Sequence, residues 1–148
     1  MLIYLDNCVF NRPFDNHSHL RVRLEAEAKL YIQSQIKQNN VDLIWSYILE
    51  LENSQNPFLE RRYAVSQWRN LSKIHIVESV PLLEIARKLL SKGIKPKDSL
   101  HVASAIMGKA SYFLSTDDKL LNKLINYSDI NALNPIEFIG VIDEYNRY

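Results

Sequence analysis

Apolar residues along the chain follow two alternating rhythms: short unbroken runs, and longer stretches with apolar positions every three or four residues. Leu2-Ile3-Tyr4-Leu5 is a continuous run of strand length, interrupted by turn-forming residues from Asn7 through Pro13, and it reads as a fully buried first strand. From Leu20 to Gln38, the residues Leu20, Leu24, Ala28, Tyr31, Ile32 and Ile36 recur at spacings of mostly three and four, with Glu and Lys between them. That spacing predicts a long amphipathic helix. Asn39-Asn40 ends it. Val41 to Ser46 is the second strand, running into a short helix that carries Glu50 and Glu52 and breaks at Pro57. Glu60 to Leu71 predicts another helix, and Ile74 to Val77 a short strand. Pro81 suits the first turn of a helix over Leu82 to Leu90, and Gly93 suits its C-terminal cap. A helix from near Pro96 to about Met107, a strand at Tyr112-Phe113-Leu114 and a helix from Asp117 follow. A short strand around Ile130 to Leu133 and a terminal helix from Pro135 through Ile142 complete the pattern. There is no internal repeat, low-complexity tract or linker.

Strands alternating with helices predict an α/β fold, a three-layer α/β/α arrangement around a mostly parallel sheet. A length of 148 residues with 47% hydrophobic positions suits a single domain over 1–148. Lys and Arg total 18 against 17 Asp and Glu, so the overall field is weak and any phosphate contact must come from a local patch. The single Cys8 excludes an intramolecular disulfide framework and a thiolate zinc site, and it agrees with a reducing compartment; it reads as a small residue packed beside the first strand. No apolar stretch approaches the ~20 residues of a membrane helix, and the N-terminal run carries Asp6 rather than a signal-peptide pattern. The expectation is a cytoplasmic protein with no membrane partner. With 3 Gly there is no Gly-rich phosphate loop.

The chemistry lies in four acidic motifs. Asp6 follows the first strand, Glu52 the second, Asp98 opens a helix in Lys97-Asp98-Ser99-Leu100-His101, and Asp117-Asp118 follows the strand at Tyr112. In open parallel sheets the ligand crevice lies beyond the carboxyl ends of the strands, where these residues would meet. Carboxylates gathered at one point repel, so they stay ionised only around a cation; otherwise some hold protons. An all-oxygen donor set favours hard ions, so Mg²⁺ or Mn²⁺ is expected. Each acid also has a bland reading: Asp at a helix start is a common N-cap, which applies to Asp98, Asp117 and Asp118. Asp6, directly after a buried strand, is harder to explain that way. His101 beside an apolar stripe reads as a hydrogen-bonded structural residue, His17 and His19 as solvated, and Trp45 and Trp68 as core.

Taken in order, these motifs resemble the PIN-domain nucleases, whose best-known members are the VapC-type ribonuclease toxins of toxin–antitoxin pairs. Leu5-Asp6-Asn7 is similar to the family's opening Asp motif, and Ser46 with Glu52 to its Ser and Glu at the second strand and helix. Lys97 to Ala105 resembles its Asp-centred helix start, with Ser99 where Ala is usual. Leu114-Ser115-Thr116-Asp117 resembles its Thr-x-Asp motif, with Ser115 in the Thr place. The resemblance implies catalytic Asp6, Glu52, Asp98 and Asp117, metal ligation by Asp6, Asp98, Asp117 and Asp118, and supporting roles for Asn7, Ser115 and Thr116. Glu50 competes with Glu52, and Asp118 with Asp117. Arg12-Pro13-Phe14-Asp15 resembles one bacterial subgroup of the family.

Arg12, Arg21, Arg23, Arg61, Arg62, Lys95 and Lys97 fall where they could border the crevice, with Arg12 and Lys97 the leading candidates for holding an RNA backbone. The implied activity is metal-dependent RNA hydrolysis, with an antitoxin protein as partner and a homodimer through helices between Glu60 and Leu90. RNA rather than DNA rests on the resemblance alone. Two other readings stand beside it. One is a PIN-fold binding module with little hydrolysis. The other is an Asp-phosphorylated receiver-like domain, disfavoured because Lys119 lies at a helix start instead of following a late strand.

Overall fold

The computed structural model describes residues 1–147. Five strands form one all-parallel sheet: β1 (Leu2–Leu5), β2 (Asp42–Ser46), β3 (Ile74–Ile76), β4 (Tyr112–Leu114) and β5 (Ala132–Leu133), in the order β3-β2-β1-β4-β5. Eight helices accompany them among the described residues: α1 (Asn7–Asn11), α2 (Leu20–Lys37), α3 (Tyr47–Ser54), α4 (Leu59–Leu71), α5 (Val80–Ser91), α6 (Pro96–Met107), α7 (Asp118–Leu124) and α8 (Pro135–Arg147).

The central strand explains why its run is unbroken. Ile3, Tyr4 and Leu5 have no exposed surface, because successive side chains point to opposite faces and both faces are covered. Tyr4 stacks on Phe113 at 5.6 Å and bonds His101 of α6, so α6 lies on that face. On the other, Phe138 of α8 meets Tyr112 at 5.4 Å and α8 packs along α2. The α/β/α layering expected from the alternation is therefore the architecture.

Strand order reverses at β1. The chain steps outward through β2 to β3, then crosses back to lay β4 on the other side of β1, with Ile3 opposite Tyr112 and Leu5 opposite Leu114. The crevice of an open parallel sheet forms at such a reversal, and the Asp6 N–H donates to the Leu114 carbonyl at 2.9 Å, holding the two strand ends together.

Element boundaries differ from expectation mainly at the ends. Asn7 to Pro13, read as turn, is helix α1 followed by a 3₁₀ turn over Arg12–Phe14. Its start is fixed by the Asp6 carboxylate, which accepts the Asn7 N–H, and its inward residues Val9 and Phe10 are fully buried. Strand β5 is two residues, shorter than Ile130 to Leu133, and α8 continues past Ile142 to Arg147. Helix α5 begins at Val80, one residue before Pro81, because the Ser79 hydroxyl caps Leu82 N–H, and Gly93 takes φ 86° just beyond its end. No described helix is long and apolar enough to cross a membrane. Trp45 and Trp68 are core, as expected.

Candidate metal centre

At the carboxyl end of the sheet is an open cleft of about 780 Å³, lined by Asp6, Glu52, Asp98 and Asp117, with Asn7 and Lys97 among its other walls. The four acids arrive on four different elements. Asp6 ends β1. Its Oδ1 accepts the Asn7 N–H at 2.8 Å and its Oδ2 accepts the Ser115 hydroxyl at 3.0 Å and the Cys8 thiol at 3.4 Å. Burial and the Asp6 charge push the Cys8 thiol up to about 12, so it stays a protonated donor lining the cleft.

Glu52 lies on the inner side of α3, where its Oε1 is 2.7 Å from His101 Nε2. His101 is 1% exposed and also stands 3.8 Å from Asp6 Oδ1. Its Nδ1 is 2.6 Å from the Tyr4 hydroxyl, which in turn is 2.6 Å from Ser46 Oγ. Ser46 Oγ already accepts the Leu49 N–H, so its proton is free for Tyr4. The buried chain then runs in one direction, Ser46 to Tyr4 to His101 to Glu52, if the ring carries its proton on Nε2. Burial opposes charge on the ring, but the Glu52 hydrogen bond and the charge of Asp6 outweigh it and hold His101 above its ordinary value. Glu52 answers in kind: burial would raise it, and the His101 bond and charge, with Lys97, bring it below the ordinary range.

Asp98, in the first turn of α6, is held above its ordinary value first by burial and then by the charges of Asp6 and Asp117. Burial and like charge both favour the protonated carboxyl there. Asp117 has two roles at once: it lines the cleft, and its Oδ1 caps α7 by accepting from Lys119 N and Leu120 N at 3.0 and 3.3 Å. The capping interpretation and the cleft interpretation are therefore not exclusive for this residue.

Other expected members lie elsewhere. Asp118 is exposed and bound through both oxygens by Arg21, which holds it below its ordinary value; it does not line the cleft. The helical step from Asp117 turns the next side chain outward. Asp118→Asn is accordingly expected to leave cleft chemistry and metal affinity unchanged, and a severalfold loss of metal affinity in calorimetry would refute that placement. Glu50 accepts the Trp45 indole N–H at 2.9 Å and faces Arg69, on a separate groove. Thr116 is buried, with its backbone N–H on Cys8 Sγ. Arg12 is not free for a backbone phosphate: its Nε and Nη1 bind Glu25 and Asp15, each at 3.0 Å. Arg61 and Arg62 bond the Phe14 and Ser54 carbonyls. Of the basic candidates, Lys95 and Lys97 line the cleft.

The cleft also includes residues that sequence reasoning did not assign to it. Asn11 and Asp15 are two of them. Asn11 lies one helical turn after Asn7, donates to its carbonyl at 3.0 Å and accepts from Asn56 at 3.1 Å. The only signal for it would have been recognition that Asn7 opens a helix. His101, read as structural, is hydrogen-bonded as expected, and its partner is a cleft acid.

Among the described residues no three His, Cys, Asp or Glu side chains stand close enough together to enclose one ion. Asp6, Glu52 and Asp117 instead each accept hydrogen bonds from donors of their own. The donor set still suits a hard cation, since all four groups are carboxylates around one opening. Mg²⁺ keeps several waters and takes only one or two carboxylates directly, so it does not need three acids in contact.

The PIN domain family model matches residues 3–124. Among solved structures, the fold is similar to that of VapBC2 from Rickettsia felis bound to a DNA fragment from their promoter. There the TM-score is 0.57 and the identity 17%, over 90% of this chain and 98% of that one. It is also similar to PAE2754 from Pyrobaculum aerophilum, with TM-score 0.51 and 14% identity over the full length of both chains. No curated protein matches significantly. The likeness to the two structures is one of fold, and the match to the family model extends from β1 to the end of α7; the chain belongs to the PIN domain family.

Proposed function

We propose that this chain is a metal-dependent endoribonuclease acting as the toxin of a toxin–antitoxin pair. PIN domains are generally nucleases, and family and fold together support a VapC-like nuclease. The observation that carries the finer reading is the convergence of Asp6, Glu52, Asp98 and Asp117 from four elements on one open cleft, with Asp98 raised by burial and by the charges of Asp6 and Asp117.

Asp6, Asp98 and Asp117 would hold Mg²⁺ or Mn²⁺, directly or through water, with Glu52 beside them. Bound there, the ion supplies positive charge to the scissile phosphate and acidity to an attacking water. The protein contributes the rest. Ser115, Asn7 and Cys8 fix the Asp6 carboxylate by three hydrogen bonds, and His101 fixes Glu52, so neither must reorganise when charge develops. Lys95 and Lys97 line the cleft and offer ammonium groups to a phosphate chain passing across it. Asp98 is the carboxyl disposed to hold a proton, and that proton is displaced when positive charge enters.

The partner we infer is an antitoxin protein, with Tyr63 and Val80, each 69% exposed, offering surface for a second copy of this chain. We read the chain as one cytoplasmic domain, its sheet drawing on residues from Leu2 to Leu133.

The test is cleavage of end-labelled structured and unstructured RNAs with Mg²⁺ or Mn²⁺ against EDTA, beside calorimetric metal titration. Metal-dependent cutting is expected. Metal affinity should rise as pH increases through the raised pKa of Asp98, since its proton competes with the ion. No cutting with clear metal binding would favour the second reading, a PIN-fold binding module.

A further inference from the structure

Helix α2 carries two buried charges one turn apart, and they are treated in opposite ways. Glu25, with no exposed surface, is bound by Arg12, Arg21 and Asn134. Lys29, 4% exposed, has no oxygen partner among the described residues. Its ammonium instead lies 5.6 Å from the ring centre of Phe10 and 5.5 Å from that of Trp68. A second cation, Lys37, stands over the same Trp68 ring at 5.5 Å, so the local field is positive with nothing to balance it. Cation–π contact offsets only part of the desolvation of a buried ammonium. Burial and the Lys37 charge bring the amine down to about 7, so a counter-charge in the cavity would favour its protonated form.

One turn further along α2, Gln33 is 9% exposed, and its amide likewise has no protein hydrogen bond among the described residues. Both side chains line one cavity of about 260 Å³, walled by Phe10, Phe14, Leu30, Val65 and Trp68 and lying apart from the acidic cleft. Two mostly buried side chains, i and i+4 on one helix, whose polar tips lack protein partners among the described residues and open only onto the same aromatic-walled space, make a receptor for an anion. One ammonium balances one negative charge, and a doubly charged phosphate would be left underneutralised in so apolar a setting. The walls call for a flat, apolar body.

We propose that this cavity binds a small aryl or indolyl monocarboxylate, with the carboxylate on Lys29 Nζ and the Gln33 amide and the ring against Phe10, Phe14 and Trp68. The ligand would complete the ion pair that Glu25 has and Lys29 lacks. This site is independent of the metal centre and of the nuclease reading.

The experiment is titration of the full chain with benzoate and indole-3-acetate, and with neutral benzamide as control, followed by backbone amide NMR shifts and calorimetry. Saturable shifts at α2, α4 and the Trp68 indole are expected with the carboxylates and not with benzamide. Lys29→Met, which keeps an apolar stem of similar length, should weaken binding at least about thirtyfold, as loss of one member of a buried charge pair does. Gln33→Leu should weaken it about tenfold by removing one hydrogen bond to a charged group, with both variants retaining the wild-type amide pattern elsewhere. Absence of saturable shifts at millimolar ligand overturns the proposal. So do equal binding by Lys29→Met, equal binding of benzamide, or shifts confined to Lys95, Lys97 and the acidic cleft. Shifts at the cavity that track protein concentration without ligand would assign the surface to self-association and also overturn it.

Discussion

Replacing Asp6 by Asn is expected to lower metal-dependent RNA cleavage by at least about a hundredfold while leaving the folded protein as stable as before, or more so. The loss follows from position. Asp6 stands where strand order reverses, between β1 and β4, and its charge adds to the burial that raises Asp98 and to the Glu52 hydrogen bond that raises His101. Removing a ligand that concentrates positive charge on a phosphate forfeits several kcal/mol in the transition state, and each 1.36 kcal/mol is tenfold in rate. Retained stability follows from the hydrogen bonds. The Asn oxygen can still accept the Asn7 N–H, and its amide can donate to Ser115 Oγ, which then turns its own proton away, so that only the weak Cys8 thiol bond is given up. One negative charge fewer also relieves Asp98. The measurement is single-turnover cleavage beside thermal unfolding with and without Mg²⁺. The variant should show no Mg²⁺-induced rise in Tm. Cleavage persisting at the wild-type rate would mean a contaminating nuclease or a role for Asp6 outside the chemistry, and either would remove the central support for the proposed function.

The second large effect is expected at His101. His101→Ala should cost about 3 kcal/mol of stability, because it leaves the Tyr4 hydroxyl without its imidazole partner and the Glu52 carboxylate without its donor in a largely buried place. For a domain of this size that is roughly a 10 °C fall in Tm. The pH dependence gives the pair away. His101 is raised in the folded state, so its contribution is complete below the ordinary imidazole pKa and is lost as pH rises through the folded value. Glu52 is lowered, so its contribution is present above the ordinary carboxylate pKa and is lost as pH falls through the folded value. Wild-type stability without metal should therefore be greatest between the two ordinary values and decline on the alkaline side. His101→Ala should flatten that decline. A denaturant series across pH reads this directly, and parallel wild-type and variant profiles would show that the ion pair contributes nothing.

Helix α2 and strands β1, β2 and β4 were legible because their patterns are set by burial alone: a strand covered on both faces has no polar position, and a helix packed on one side repeats every three to four residues. Helix α1 was not. Asn7, Asn11 and Pro13 all favour turns locally, and the helix exists because Asp6 caps it and because Val9 and Phe10 find buried places that no local pattern announces. Similarly, the chemistry at Asp6, Glu52, Asp98 and Asp117 could be placed at strand ends and helix starts from sequence, whereas adjacent acids such as Glu50 and Glu52, or Asp117 and Asp118, could be separated only by which way each side chain points.

By itself the sequence determined the alternating α/β architecture, the parallel sheet and the set of acidic motifs at its carboxyl end, since hydrophobic spacing and the order of motifs along the chain carry that information. Tertiary structure alone decided how each charged group is employed. It committed Arg12 to Glu25 and Asp15, drew Asp118 to Arg21, linked Glu52 through His101 to a buried tyrosine, and left Lys29 facing a cavity with no counter-charge. Those outcomes depend on distances between residues up to 97 positions apart, and the electrostatic interaction of two side chains is set by their separation in space and their burial, neither of which spacing along the chain encodes.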